Sequence, residues 1–150
     1  MLIPPEDKLY ATFTEDGGEG IVVAHGTPQA RVLLKVTAKR LYLLIDGEPP
    51  GKCLSGAFAE AMQSGKIRSS MSALVDLTHF TGGVDWSHVE AVRAMADWGN
   101  DGDSNVAYVV RNQMFHGLIK VARAMFADTR HETFLNRADA VAWLDSLEKP

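Results

Sequence analysis

Apolar and polar positions along this chain fall into two regimes. Between Lys8 and Arg40 the sequence is rich in β-formers and interrupted by Gly17, Gly18, Gly20, Gly26 and Pro28. This pattern predicts strands over 9–14, 21–24 and 32–36, with the glycine cluster at 17–20 as a hairpin turn. Residues 41–45 then form an almost wholly apolar run that Asp46-Gly47 stops, as expected of a strand covered on both faces.

Beyond that point helical and extended patterns alternate. Leu54, Phe58, Ala61 and Met62 recur at helical spacing, predicting a helix that follows Pro49-Pro50 and ends near Gly65. A short buried strand is predicted over 73–77, then an amphipathic helix carried by Val89, Val92, Met95 and Ala96 and closed by Gly99. Another buried strand follows over 106–110, and Phe115, Leu118, Ile119, Ala122, Met125 and Phe126 trace a long helical stripe. The order closes with a polar, edge-type strand over 131–135 and a terminal helix carried by Ala138, Val141, Leu144 and Leu147, with Asn136 placed to cap it. Strand-helix alternation of this kind builds parallel strands through βα crossovers, and the β-rich first third adds antiparallel strands to the same sheet. The expected architecture is therefore an α/β domain with a single mixed, largely parallel sheet and about four helices. It is read as one domain over 1–150, with a β-rich N-terminal extension over 1–30 and a core over 31–150.

Charge and cysteine content narrow the function classes. Fifteen Lys and Arg against nineteen Asp and Glu leave a formal net charge of -4, which supplies no basic excess for broad nucleic-acid or anionic-membrane binding. The lone Cys53 forms no internal disulfide and fits a reducing compartment. No run of eighteen apolar residues and no secretory leader pattern is present, so a cytoplasmic protein without membrane insertion is expected.

Candidate chemistry is sparse. No phosphate-binding G-x-x-x-x-G-K-[ST] and no dinucleotide fingerprint occur. Gly82-Gly83 lies between a predicted strand and a predicted helix, where free amides and the helix dipole can hold an anion, although a plain βα turn is the better reading. The histidines at 25, 79, 88, 116 and 131 show no tight ligand spacing, but His79 and His88 flank that turn. Together with Asp76 or Asp85 they could form a divalent-metal or acid/base site; solvated turn histidines are the plainer reading. Cys53 precedes a predicted helix without a neighbouring histidine, which favours a small residue in a capping turn over a nucleophile. Met62, Met95, Met114 and Met125 sit on or beside apolar stripes, as core packing or, alternatively, as the lining of a lipophilic groove. Ser87 followed three residues later by Glu90 is a capping box with Asp85 as a competing cap, and a hydroxyl there is also a place where a phosphate has large effect.

Several segments together resemble the SpoIIAA-like branch of the STAS superfamily, small α/β proteins named for sulphate transporters and anti-sigma-factor antagonists. The segments are LYLLIDG over 41–47, ALVDLTHF over 73–80, Gly117-Leu118-Ile119, Ala122-Arg123-Ala124, Phe134, and Ala140-Val141-Ala142-Trp143-Leu144. The resemblance runs from about Arg31 to the end, and it rests mainly on fold residues, with Trp143 expected to seal the core. In anti-sigma-factor antagonists a D-S-[ST]-G motif follows this strand, and its second hydroxyl residue is phosphorylated by a partner kinase. Allowing one extra loop residue, the resemblance puts Asp85 on the motif's Asp and Ser87 on its phosphoacceptor, with Trp86 in place of the first Ser and His88 in place of the Gly.

The expectation from residues and resemblance together is a non-enzymatic, regulatory or protein-binding domain without a cofactor. Its partner surface would run from Thr78 and Thr81 through Asp85 and Ser87 into the next helix, and exposed N-terminal strands would offer an edge for a homodimer. Two other classes are a small lipophilic-ligand binder, suggested by the Met and Phe content of 114–126, and a metal-assisted hydrolase using His79, His88 and Asp76.

Overall fold

The computed structural model describes residues 8–15, 18–67, 71–81, 105–110 and 130–147. Six strands form one sheet: β1 (Gly20–Thr27), β2 (Ala30–Thr37), β3 (Arg40–Asp46), β4 (Ser72–Asp76), β5 (Asn105–Val109) and β6 (Arg130–Phe134), lying side by side in chain order. Short connections make β1–β2 and β2–β3 antiparallel; the longer excursions after β3, β4 and β5 bring β4, β5 and β6 in parallel. Three helices are described: α1 (Lys8–Glu15), α2 (Gly51–Gln63) and α3 (Arg137–Leu147).

The sheet is covered on both faces, which explains why β2 to β5 are apolar at nearly every position. On one face Val32, Leu34, Leu41, Leu43, Val75 and Val106 pack with Leu54, Ala57, Phe58 and Ala61 of α2. On the other, Leu33, Tyr42, Leu44, Leu74 and Val109 pack with Phe13 of α1 and Ala140 and Leu144 of α3. Each such Leu or Val taken from water contributes roughly 1.5–3 kcal/mol, so the central strands carry the cohesion of the fold. At the far edge the Phe134 and Trp143 rings meet with centroids 5.7 Å apart, and Trp143 closes the core there as expected.

Several local expectations need correction. Residues 9–14 are helical, not extended: Leu9 and Phe13, four apart, lie on the face of α1 that packs on the sheet. Gly20 consequently opens β1, and the hairpin turn between β1 and β2 is at Pro28-Gln29, closed by the Thr27↔Ala30 pair. Cys53 lies inside the first turn of α2 and is buried in the core, so it caps nothing. Met62 is 45% exposed and points away from that core. The predicted helices at 89–96 and 115–126, with Met95, Met114 and Met125, lie outside the described residues.

Three basic side chains are buried on the face shared by α1 and α3, none of them anticipated as core. Arg31 Nε donates to Asp46 Oδ2 at 3.0 Å across the β2–β3 pair, Arg40 Nη2 donates to Asp145 Oδ1 at 2.6 Å, and Lys35 Nζ donates to the Thr14 carbonyl at 2.6 Å. Buried cations require such partners, because desolvation otherwise outweighs everything packing returns. The same contacts tie α1 and the end of α3 to the sheet.

Candidate functional site

Asp76 is the last residue of β4 and starts a turn. Its Oδ1 accepts from the Thr78 amide at 2.9 Å and from Thr78 Oγ1 at 2.6 Å, the side-chain turn that aspartate forms readily with the backbone two residues on. Phe80 closes the turn through its amide to the Leu77 carbonyl (3.2 Å) and is buried, which anchors the segment from below. Leu77 in turn donates to the Val109 carbonyl at the end of β5 (2.9 Å).

The turn is also stitched to the end of β3. Gly47 donates to the His79 carbonyl at 2.9 Å and accepts from the Thr81 amide at 3.0 Å. Gly47 has φ +73°, and a Cβ there would run into the Gln29 carbonyl, so this position needs glycine on both counts. The outcome is a fixed backbone on which His79 and Thr81 are exposed, while Thr78 is half-buried with its hydroxyl engaged.

Next to the turn lies a pocket of about 170 Å³. Leu9 and Phe13 of α1 face Tyr42 and Leu44 of β3 and Leu74 of β4 across it, and Thr12, Asp76, His79 and Arg137 supply polar groups. Arg137 opens α3, and its guanidinium carbon lies 5.6 Å from the centroid of the Tyr42 ring, within reach of a cation–π contact. Crevices at the carboxyl ends of parallel strands are where open α/β sheets commonly place ligands.

Asp76 and His79 line one pocket, and Thr78 and Thr81 lie on the same turn; His88 and Asp85, the other members of the expected metal or acid/base set, fall outside the described residues. Ser87 and the Gly82-Gly83 turn lie outside them as well. Among the described residues, no group of three or more His, Cys, Asp or Glu side chains is placed to hold a metal ion, and no helix is long and apolar enough to cross a membrane. Tyr42, Arg137 and the α1 residues escaped the sequence reading. The signal for α1 was the Leu9/Phe13 spacing of four, which the alternation Leu9, Ala11, Phe13 masked.

No family model matches the chain, and no curated protein matches it. Among solved structures, the chain is similar to an uncharacterized protein of the DUF3478 family with a SpoIIAA-like fold from Shewanella loihica PV-4. The two share 15% identity with a TM-score of 0.56, over 83% of this chain and 92% of that one. With its single mixed sheet flanked by helices on both faces, the chain has the SpoIIAA-like fold that its central strands and tail resemble.

Proposed function

We infer that this chain is a non-catalytic protein-binding domain whose recognition surface is the turn over 77–81 at the ends of β3 and β4. The observation that carries this reading is the reciprocal bonding of Gly47 to His79 and Thr81. It presents two exposed polar side chains on a backbone whose conformation is already set. A preorganised surface loses little entropy when a partner docks, so contacts there convert into affinity efficiently. Because the Thr78 hydroxyl is held by Asp76, Thr81 is the hydroxyl of this turn open to a partner or to a modifying enzyme.

The test compares tagged wild-type protein with a His79→Glu/Thr81→Glu variant and with a Lys66→Glu control as baits in the native cell. A protein recovered by wild type and control but depleted about tenfold, ~1.4 kcal/mol, by the double variant supports the reading. Identical recoveries by all three baits, or no specific protein with any, overturn it.

A further inference from the structure

The two edges of the sheet are built differently. β6 closes one side with Arg130 and Glu132 among its five residues, the charged kind of edge that resists pairing with another chain. β1 closes the other side with eight residues, GIVVAHGT, that include no Asp, Glu, Lys or Arg. Ile21, Val22 and Ala24 are half-buried there, whereas β2 beside them is buried at every position after Ala30. Among the described residues no strand lies outside β1.

The main-chain groups of β1 follow from the hairpin. Its two-residue turn at 28–29 makes Thr27↔Ala30 the hydrogen-bonded closing pair. Bonded and non-bonded pairs alternate along an antiparallel ladder, so Ile21, Val23 and His25 bond to β2, while Gly20, Val22 and Ala24 aim their N–H and C=O groups outward. The turn between Thr37 and Arg40 sets the same phase independently, with odd-numbered residues of β2 serving β3 and even-numbered ones serving β1. An uncharged row of outward main-chain groups is a template for another strand.

We propose that β1 pairs antiparallel with β1 of a second copy of this chain, about a two-fold axis through Val22, joining two six-stranded sheets into one. The buried faces stay continuous only if opposed residues point to the same side of the sheet. With Val22 on the axis, Ile21 opposes Val23 of the other copy, Gly20 opposes Ala24, and Glu19, exposed just ahead of the strand, opposes His25. These crossings are apolar on apolar, small on small and acid on base, and the two-fold repeats each of them. One register step in either direction sets His25 against Ile21 or Glu19 against Val23. The complementarity of the edge is therefore to itself.

The strand seam alone is about 24 Å long and about 10 Å deep, well short of the roughly 800 Å² that a standard interface takes from each partner. Helix α2 supplies more. It lies over β1 and β2 alike, with Gly56 and Glu60 beside His25. Its axis is thus about half a strand spacing inside β1, and the two-fold brings the two α2 helices to about 10 Å, the separation at which helices pack.

Sedimentation equilibrium on the full chain between about 5 and 500 μM tests the proposal, with dissociation constants in the micromolar range expected of a small interface. The expected mass rises from monomer to dimer across that range. Val22→Pro removes an outward N–H on the axis and leaves the β1–β2 ladder intact, as edge positions allow; it should be monomeric throughout. Glu19→Lys, at an exposed position before the strand, should fold normally and weaken the dimer about tenfold, ~1.4 kcal/mol. Spin labels on Thr27→Cys, with Cys53 buried, read the register directly. Thr27 lies five residues from the axis, so the two labelled positions should be about 34 Å apart, and one register step changes that by about 7 Å. A monomer at every concentration overturns the proposal, as does dimerisation unaffected by Val22→Pro or by Glu19→Lys, or a label separation one step or more away. The turn over 77–81 is separated from β1 by β2 and β3, so partner recoveries with the turn variants test that reading separately.

Discussion

Lys35 Nζ lies 2.6 Å from the carbonyl oxygen of Thr14, so a fully buried lysine in β2 terminates the helix that walls the pocket. The last carbonyls of a helix have no partner within it, and a basic group there also meets the negative end of the helix dipole. Lys35→Met keeps the length and the apolar stem but leaves the Thr14 carbonyl without that donor. We expect a loss of about 1–3 kcal/mol, the usual cost of an unsatisfied buried polar group, in urea denaturation. Amide exchange over 8–15 should accelerate more than exchange in β3; equal acceleration throughout would mean that Lys35 does not hold α1 specifically.

Asp145 binds α3 to the start of β3 and makes this contact sensitive to acid. Its carboxylate accepts from Lys39 Nζ at 2.9 Å and from Arg40 Nη2 at 2.6 Å, and these hydrogen bonds hold its pKa below the ordinary 3.8. With the folded value lower than the unfolded one, the stabilisation is complete above the unfolded pKa and is lost as pH falls through the folded one. Asp145→Asn should therefore lower the melting temperature by a constant amount between about pH 5 and pH 7, and the gap to wild type should close below about pH 4. A gap that persisted unchanged to pH 2.5 would show that the carboxylate's charge contributes nothing.

His25 and Gly56 make a third test through packing rather than charge. His25 Nε2 lies 2.9 Å from Glu60 Oε1, and a Cβ on Gly56 would come within 3.0 Å of His25 Nδ1. Glycine inside a helix costs up to about 1 kcal/mol relative to alanine, so the bare position reflects the ring beside it. Gly56→Ala should stabilise a His25→Ala protein by about 0.5–1 kcal/mol and wild type by less, because there the ring must move off Glu60. A double-mutant cycle in urea measures the difference; equal gains in both backgrounds would exclude the contact.

Asn136 was expected to cap the terminal helix, and it does so in both directions. Its Oδ1 accepts from the Asp139 amide at 2.9 Å and its Nδ2 donates to Asp139 Oδ2 at 2.9 Å. Asn136→Ala should cost about 1 kcal/mol by thermal or chemical unfolding, and Asn136→Ser should recover most of it. Equal loss in both variants would assign the effect to something other than the cap.

That cap was legible because its chemistry is confined to four consecutive residues, and β2 to β5 were legible because strands covered on both faces are nearly continuous apolar runs. What escaped depends on partners far along the chain. Arg31, Lys35 and Arg40 read as ordinary charged positions until Asp46, Thr14 and Asp145, at separations of 15, 21 and 105 residues, arrive beside them. The helix α1 escaped for a different reason: Leu9, Ala11 and Phe13 satisfy period two, and Leu9 with Phe13 satisfies a helical turn, so local pattern cannot decide and packing against β2 does. The same ambiguity hid the pocket, since a strand at 9–14 gives it no wall. Asp76 and His79 could be singled out as candidates because they follow a buried strand, whereas nothing local in the sequence singles out Arg137 as a pocket residue.

The strongest single dependence of the site on sequence is at Gly47. Its left-handed φ of +73° costs a residue with a side chain roughly 1–2 kcal/mol, and the Cβ of such a residue would collide with the Gln29 carbonyl in the β1–β2 turn. Relief requires moving either that turn or Gly47 itself, and moving Gly47 breaks its bonds to His79 and Thr81. Gly47→Ala should therefore destabilise the protein by at least about 2 kcal/mol and release the turn over 77–81. Exchange of the Thr81 amide should speed up beyond what the global loss explains, and partner recovery should fall as it does for His79→Glu/Thr81→Glu. A Gly65→Ala protein is the control: Gly65 has a similar φ of +72° but open space where a Cβ would lie, so it should show the backbone cost alone and leave the turn intact. Equal effects of the two substitutions on Thr81 would separate the turn from Gly47 and overturn the stitched geometry as the source of its rigidity.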